Sequence, residues 1–69
     1  MKLPELIELL QMKADDPVQV SLLKSRYNRY AIRYNRAAGK QESLQISLSY
    51  QLEGLKAKIE QLQASDENS

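Results

Sequence analysis

The chain contains no cysteine and no histidine. Disulfide bonds, zinc sites of the usual cysteine and histidine type, and acid–base catalysis by an imidazole are therefore excluded. The serines have neither a histidine base nor a glycine-rich phosphate loop to act with. We therefore predict that the protein is not an enzyme and has no catalytic residue, metal site or cofactor. The lack of cysteine also fits a reducing compartment, and we expect a cytoplasmic location.

Long apolar runs are missing as well. The most apolar stretch near the N-terminus, residues 3–12, is interrupted by Pro4, Glu5 and Glu8. No stretch approaches the roughly 18 apolar residues that a membrane-spanning helix needs. We therefore expect neither a membrane span nor a signal peptide. A chain of 69 residues forms one domain at most and has a small core, so self-association is the expected source of further burial.

Both prolines stand where helices are expected to begin. Pro4, followed by Glu5, predicts a short N-terminal helix over about residues 4–13. Asp16 and Pro17 predict the N-cap and first position of a second helix. The chain is therefore expected to be all-α, with this short helix preceding the longer ones.

Two long helices follow, over about residues 17–38 and 42–64. Gly39 lies between them and suits the left-handed conformation that commonly ends a helix. The polar residues 65–69 are expected to form a disordered tail after a single helical domain at 1–64.

An apolar stripe with alternating steps of three and four residues runs along each long helix. The first stripe comprises Val20, Leu23, Tyr27, Tyr30, Tyr34 and Ala37, and the second comprises Leu48, Leu52, Leu55, Ile59 and Leu62. Because the connection is short, the two stripes predict an antiparallel helical hairpin. The tyrosines are interpreted as core residues, although rings beside arginines also occur in proteins that bind single-stranded nucleic acid.

Residues 44–52 also fit a different structure. Apolar and polar residues alternate without a break over this segment, which is the pattern of a half-buried strand. We favour a helix because the chain offers no second strand for pairing. On a helix, Leu44 joins Leu48 and Leu52 at the hairpin seam.

The third helix has a second apolar patch that faces away from the seam. Ile46, Tyr50 and Ala57 form it, and Gly54 either permits close approach of another helix or is simply tolerated. We predict a homodimeric helical bundle assembled through this patch, with the N-terminal helix as the alternative cover. In length and layout the hairpin resembles the Rop-like plasmid regulators, in which two hairpins pair as a four-helix bundle. The extra N-terminal helix and the tyrosine-rich seam depart from that pattern, so no functional residues are carried over.

The second helix is strongly basic. Between Pro17 and Gln41 the chain has six basic residues and no acidic residue, whereas the remaining four basic residues accompany nine acidic ones. The candidate contacts for nucleic acid or an acidic protein are Arg26, Arg29, Arg33, Arg36, Lys40, Asn28 and Asn35. The four arginines recur at steps of three and four, so their guanidinium groups line one flank of the helix. Alternatively, they form a solvated face that pairs with Glu53 and Glu60.

These features predict a binding protein. The expected function is a small oligomeric interaction module, an adaptor or modulator, that acts by binding a protein partner. The alternative is a small regulator that binds RNA or DNA through its arginines. We therefore expect the protein to bind a second copy of itself and another protein. In the alternative it binds a nucleic acid, and no membrane is expected as a partner.

Overall fold

A computed structural model describes residues 6–68 of the chain, with the side chains of residues 6–64. It contains two α-helices, α1 (Val18–Ala37) and α2 (Glu42–Asn68), which pack against each other. No strand occurs within the described residues, and residues 44–52 lie inside α2. The predicted all-α hairpin is therefore confirmed. Neither helix, over the part of the chain described, combines the length and apolar character that a membrane crossing requires.

The turn between the helices has the predicted glycine. Gly39 adopts a positive φ of 77°, a conformation that is costly for residues with a Cβ atom. The backbone N–H groups of Lys40 and Gln41 both donate to the Ala37 carbonyl, at 3.0 and 2.9 Å. This tight turn sends α2 back along α1 in the antiparallel direction.

The core lies along the predicted seam. It is formed by one face of each helix, with Val20, Tyr27, Ala31, Tyr34, Ala37, Leu48, Leu52 and Ile59 buried. Leu23, Tyr30, Leu55 and Leu62 pack against it and are half-buried. Leu44 departs from the prediction, because 42% of it is exposed. The core interpretation of Tyr27 and Tyr34 is confirmed, and burial raises the pKa of the Tyr34 phenol.

The predicted N-terminal helix is wrong over residues 6–13, which contain no helix. This segment, the strap, instead runs along the hairpin. Its backbone groups bond to side chains of α1, and these bonds replace those of a helix that would be marginal at such a length. Pro4 and Glu5, where that helix was predicted to begin, lie outside the described residues.

Two other predicted boundaries also differ. Asp16 is not an N-cap, because α1 begins at Val18 after Pro17 and has no side-chain cap. The Asp16 carboxylate binds Lys13 and Lys24 instead. At the other end, α2 continues to Asn68, so the predicted helix end near residue 64 is too early.

Candidate interaction surfaces

Two asparagines of α1 hold the strap by its backbone. The Asn35 side-chain oxygen accepts from the Ile7 N–H at 2.7 Å, and its Nδ2 donates to the Ile7 carbonyl at 3.0 Å. Asn28 forms the same pair of bonds with Leu10, also at 2.7 and 3.0 Å. Each amide therefore satisfies both backbone polar groups of one strap residue. We call Asn28 and Asn35 the asparagine clamp.

The spacing of the clamp matches an extended chain. Residues seven apart on an α-helix are separated by about 10.5 Å along its axis. Three residues of extended backbone span about 10 Å, which is the interval between Ile7 and Leu10. Because Ile7 binds Asn35 and Leu10 binds Asn28, the strap runs antiparallel to α1.

A buried ion pair fixes the end of the strap. Lys24 is only 5% exposed, and its Nζ lies 2.7 Å from Asp16 Oδ2 and 3.1 Å from the Gln11 carbonyl oxygen. The Asp16 carboxylate also accepts from the Lys13 N–H at 3.1 Å. The hydrogen bond from Lys24 is the main cause that holds the pKa of Asp16 below its usual value. Lys24 therefore joins the strap, the turn after it and α1.

The strap side chains divide between two faces at intervals of three residues. Ile7 and Leu10 pack against the hairpin core and are half-buried. The apolar strap residues that lie exposed between and beyond them are Leu6, Leu9 and Met12. The strap thus buries two apolar side chains and leaves three in solvent.

The four arginines lie on another side of α1. All four are exposed, and none forms an ion pair with any residue from 6 to 64. The alternative pairing with Glu53 and Glu60 is therefore not present. At about 100° per residue, the arginine flank begins roughly a quarter turn from the asparagine clamp. The structure thus separates two sets of residues that the sequence grouped together.

The C-terminal part of the arginine flank opens into a shallow groove. This groove has a volume of about 460 Å³ and is lined by Arg33, Arg36, Ala37, Lys40, Gln41, Leu44 and Leu48. Three cationic side chains therefore converge at the end of α1 and the start of α2. Arg26 and Arg29 extend the same flank toward the N-terminus of α1 but do not line the groove.

The predicted oligomer patch lies on the exposed side of α2. Ile46, Tyr50, Gly54 and Ala57 are all exposed, and Tyr50 is 70% exposed. A Cβ atom added to Gly54 would meet nothing within 4 Å. The described strap thus leaves this patch accessible.

The strap-binding roles of Lys24, Asn28 and Asn35 were missed by the sequence analysis. Lys24 was only counted among the basic residues of the second helix, yet it is buried. The two asparagines were candidate contacts for nucleic acid or an acidic protein, yet both amides are hydrogen-bonded within the chain. Their spacing of seven residues was the available signal, because it places both on one face of α1 beside the apolar seam.

No family model, no curated protein and no solved structure matches this chain. Among the described residues, no group of three or more acidic side chains is placed to hold a metal ion.

Proposed function

We propose that the protein is a small helical interaction module that acts by binding other proteins, including a second copy of itself. The observation that carries this proposal is the amount of apolar surface in so short a chain. The large apolar side chains that are more than two-fifths exposed are Leu6, Leu9, Met12, Val18, Leu22, Ile32, Leu44, Ile46 and Tyr50. Apolar surface of this extent on a small domain is typical of an interface.

Self-association through α2 is the first part of the proposal. Ile46, Tyr50 and Ala57 recur at steps of four and seven residues on one side of α2, and Gly54 between them leaves room for a neighbouring helix. Two hairpins that met through this patch would form a four-helix bundle and bury surface that the monomer exposes. A binding role in the cytoplasm, without catalysis, completes the proposal.

Sedimentation equilibrium at micromolar concentrations tests this assembly. The wild-type chain should sediment as a dimer, and Ile46→Glu should dissociate it because a carboxylate would be buried at the interface. Gln51→Glu adds the same charge to the same helix about 140° away, so it should leave the dimer intact. A monomeric wild type would contradict self-association, and equal effects of both variants would place the interface elsewhere.

A nucleic-acid-binding regulator is the second candidate function. Its support is the exposed arginine flank, with Arg33, Arg36 and Lys40 converging on one groove. Arginine side chains that form no ion pair with residues 6–64 are available for bidentate contact with phosphate. Asn28 and Asn35 are left out of this candidate site because the strap already occupies their amides.

Filter binding of RNA and duplex DNA at two salt concentrations tests this candidate. The Arg26→Gln, Arg33→Gln double variant should bind every sequence more weakly and lower the salt slope by about 1–2. The matched control is Lys56→Gln, Lys58→Gln, which removes two positive charges from exposed positions of α2. No retention by the wild type at low salt would eliminate this function.

A further inference from the structure

The asparagine clamp recognises main chain rather than side chains. All four of its hydrogen bonds go to backbone N–H and carbonyl groups, and Lys24 adds a fifth bond, to the Gln11 carbonyl. Such groups are present in any extended segment, whatever its sequence. Main-chain bonds therefore supply affinity without selecting side chains, as in other modes of peptide recognition.

The site on the hairpin that the strap occupies, which we call the cleft, gains its selectivity from two apolar positions. Ile7 and Leu10, the two residues held by the clamp, are also the two whose side chains pack against the core. An occupant therefore needs an extended backbone, apolar residues three apart and a free carbonyl one residue after the second. The intervening positions are open to solvent in the strap and carry little requirement.

The strap fills the cleft incompletely. Leu6, Leu9 and Met12 expose about half or more of their surface, and the strap contains no internal secondary structure. An open groove of about 250 Å³ remains beside its end, lined in part by Leu10, Lys24 and Ile59. Segments with few buried apolar contacts open at much lower free energy than the core. We therefore expect the strap to open at a lower free energy than the hairpin core.

We propose that this cleft is a receptor site for an extended segment of a partner protein, with apolar residues three apart, and that the strap is its internal competitor. The inference rests on the proposed function as a protein-binding module and names the partner's chemistry. When the strap opens, the partner segment pairs with Asn35 and Asn28 in the same direction and places its two apolar residues where Ile7 and Leu10 were. The strap thereby lowers the apparent affinity for the partner segment, because only the fraction of molecules with an open strap can bind it.

A labelled, end-blocked peptide with the sequence of residues 6–13 is the probe. Fluorescence anisotropy should show weak binding to the wild-type full-length chain. The Ile7→Ser, Leu10→Ser variant weakens the strap but leaves the cleft unchanged, and it should bind the peptide about tenfold or more tightly. Leu6→Ser, Leu9→Ser is the matched control, since it makes the same replacements at outward positions and should not tighten binding.

Two further comparisons identify the site. Adding Asn28→Leu to the strap-weakened variant should weaken peptide binding about tenfold, because it removes two main-chain bonds. A peptide with serine at its two anchor positions should not bind any variant at the same concentrations. Circular dichroism establishes that each variant is folded. Failure of the folded, strap-weakened variant to bind the peptide, or indifference of that binding to Asn28→Leu, would overturn the proposal.

Amide hydrogen exchange in the isotopically labelled wild type tests the displacement without any substitution. Excess unlabelled peptide should accelerate exchange at Ile7 and Leu10, whereas the serine peptide should not. Unchanged exchange at saturating peptide would refute competition by the strap. Hydrogen exchange in the strap does not depend on self-association. If the chain dimerises through α2 but the peptide has no effect, only the receptor-site proposal is contradicted and the proposed function stands.

Discussion

Truncation of Leu52 tests the hairpin core most directly. Leu52 is 3% exposed and belongs to the cluster that includes Tyr27, Tyr34 and Leu48. Leu52→Ala should lower the free energy of unfolding by about 2–5 kcal/mol, through lost apolar burial and the cavity left behind. A domain of this length is expected to have only about 3–10 kcal/mol in total. The variant should therefore be severely destabilised or unfolded at ordinary temperature.

Leu44→Ala is the matched comparison on the same helix. Leu44 is 42% exposed, so the same replacement should cost about 1 kcal/mol or less. For a domain of this size, each kcal/mol lowers Tm by about 4–8 °C. Thermal unfolding followed by circular dichroism measures the helical signal of both variants. Equal shifts in Tm would refute the assigned burial of α2, because the structure puts these two leucines in different environments.

The remaining predictions concern the turn and the two perturbed acids. Gly39→Ala should lower the free energy of unfolding by about 1–2 kcal/mol because Gly39 has a positive φ. Gly54→Ala should instead raise it by about 0.8–1 kcal/mol in the monomer. Denaturant melts in which both variants change stability in the same direction would contradict the conformation assigned to the turn. The hydrogen bond from Lys24 lowers the pKa of Asp16, so the ionised carboxylate stabilises the fold at neutral pH. This stabilisation should be lost as the pH falls below 3.8, and Asp16→Asn should reduce the corresponding fall in Tm at acid pH. The raised pKa of Tyr34 has the opposite sign, so stability should fall as the pH rises above 10.0, and Tyr34→Phe should remove this alkaline loss.

The hairpin could be predicted from the sequence because its signals are local. The spacing of Val20, Tyr27 and Tyr34 repeats within one helix, and Gly39 marks its end by a conformation that most residues avoid. Both long helices and most of the seam were predicted correctly. Leu44 was predicted incorrectly because the next residue, Gln45, takes the inward position at the start of α2, where it is buried and its Nε2 donates to the Tyr34 carbonyl.

The strap could not be predicted in the same way because its bonds join distant parts of the chain. The hydrogen bonds between Ile7 and Asn35 connect residues 28 positions apart. Apolar residues at positions 6, 7, 9 and 10 fit one face of a helix, but Ile7 and Leu10 also fit one face of an extended chain with a repeat of three. Local periodicity cannot choose between these conformations. The backbone partners supplied by Asn28 and Asn35 decide in favour of the extended one.

The faces of α1 explain how one helix of 20 residues can serve several surfaces. Positions seven apart fall within about 20° of each other, so Tyr27 with Tyr34, Asn28 with Asn35, and Arg26 with Arg33 each define a separate line. These lines pack against α2, hold the strap and face solvent, respectively. A change at a clamp asparagine should therefore weaken the attachment of the strap without opening the seam, and loss of an arginine should leave both intact. The proposed peptide binding, the proposed nucleic-acid binding and the stability of the fold can consequently be tested one at a time by substitutions in a single helix.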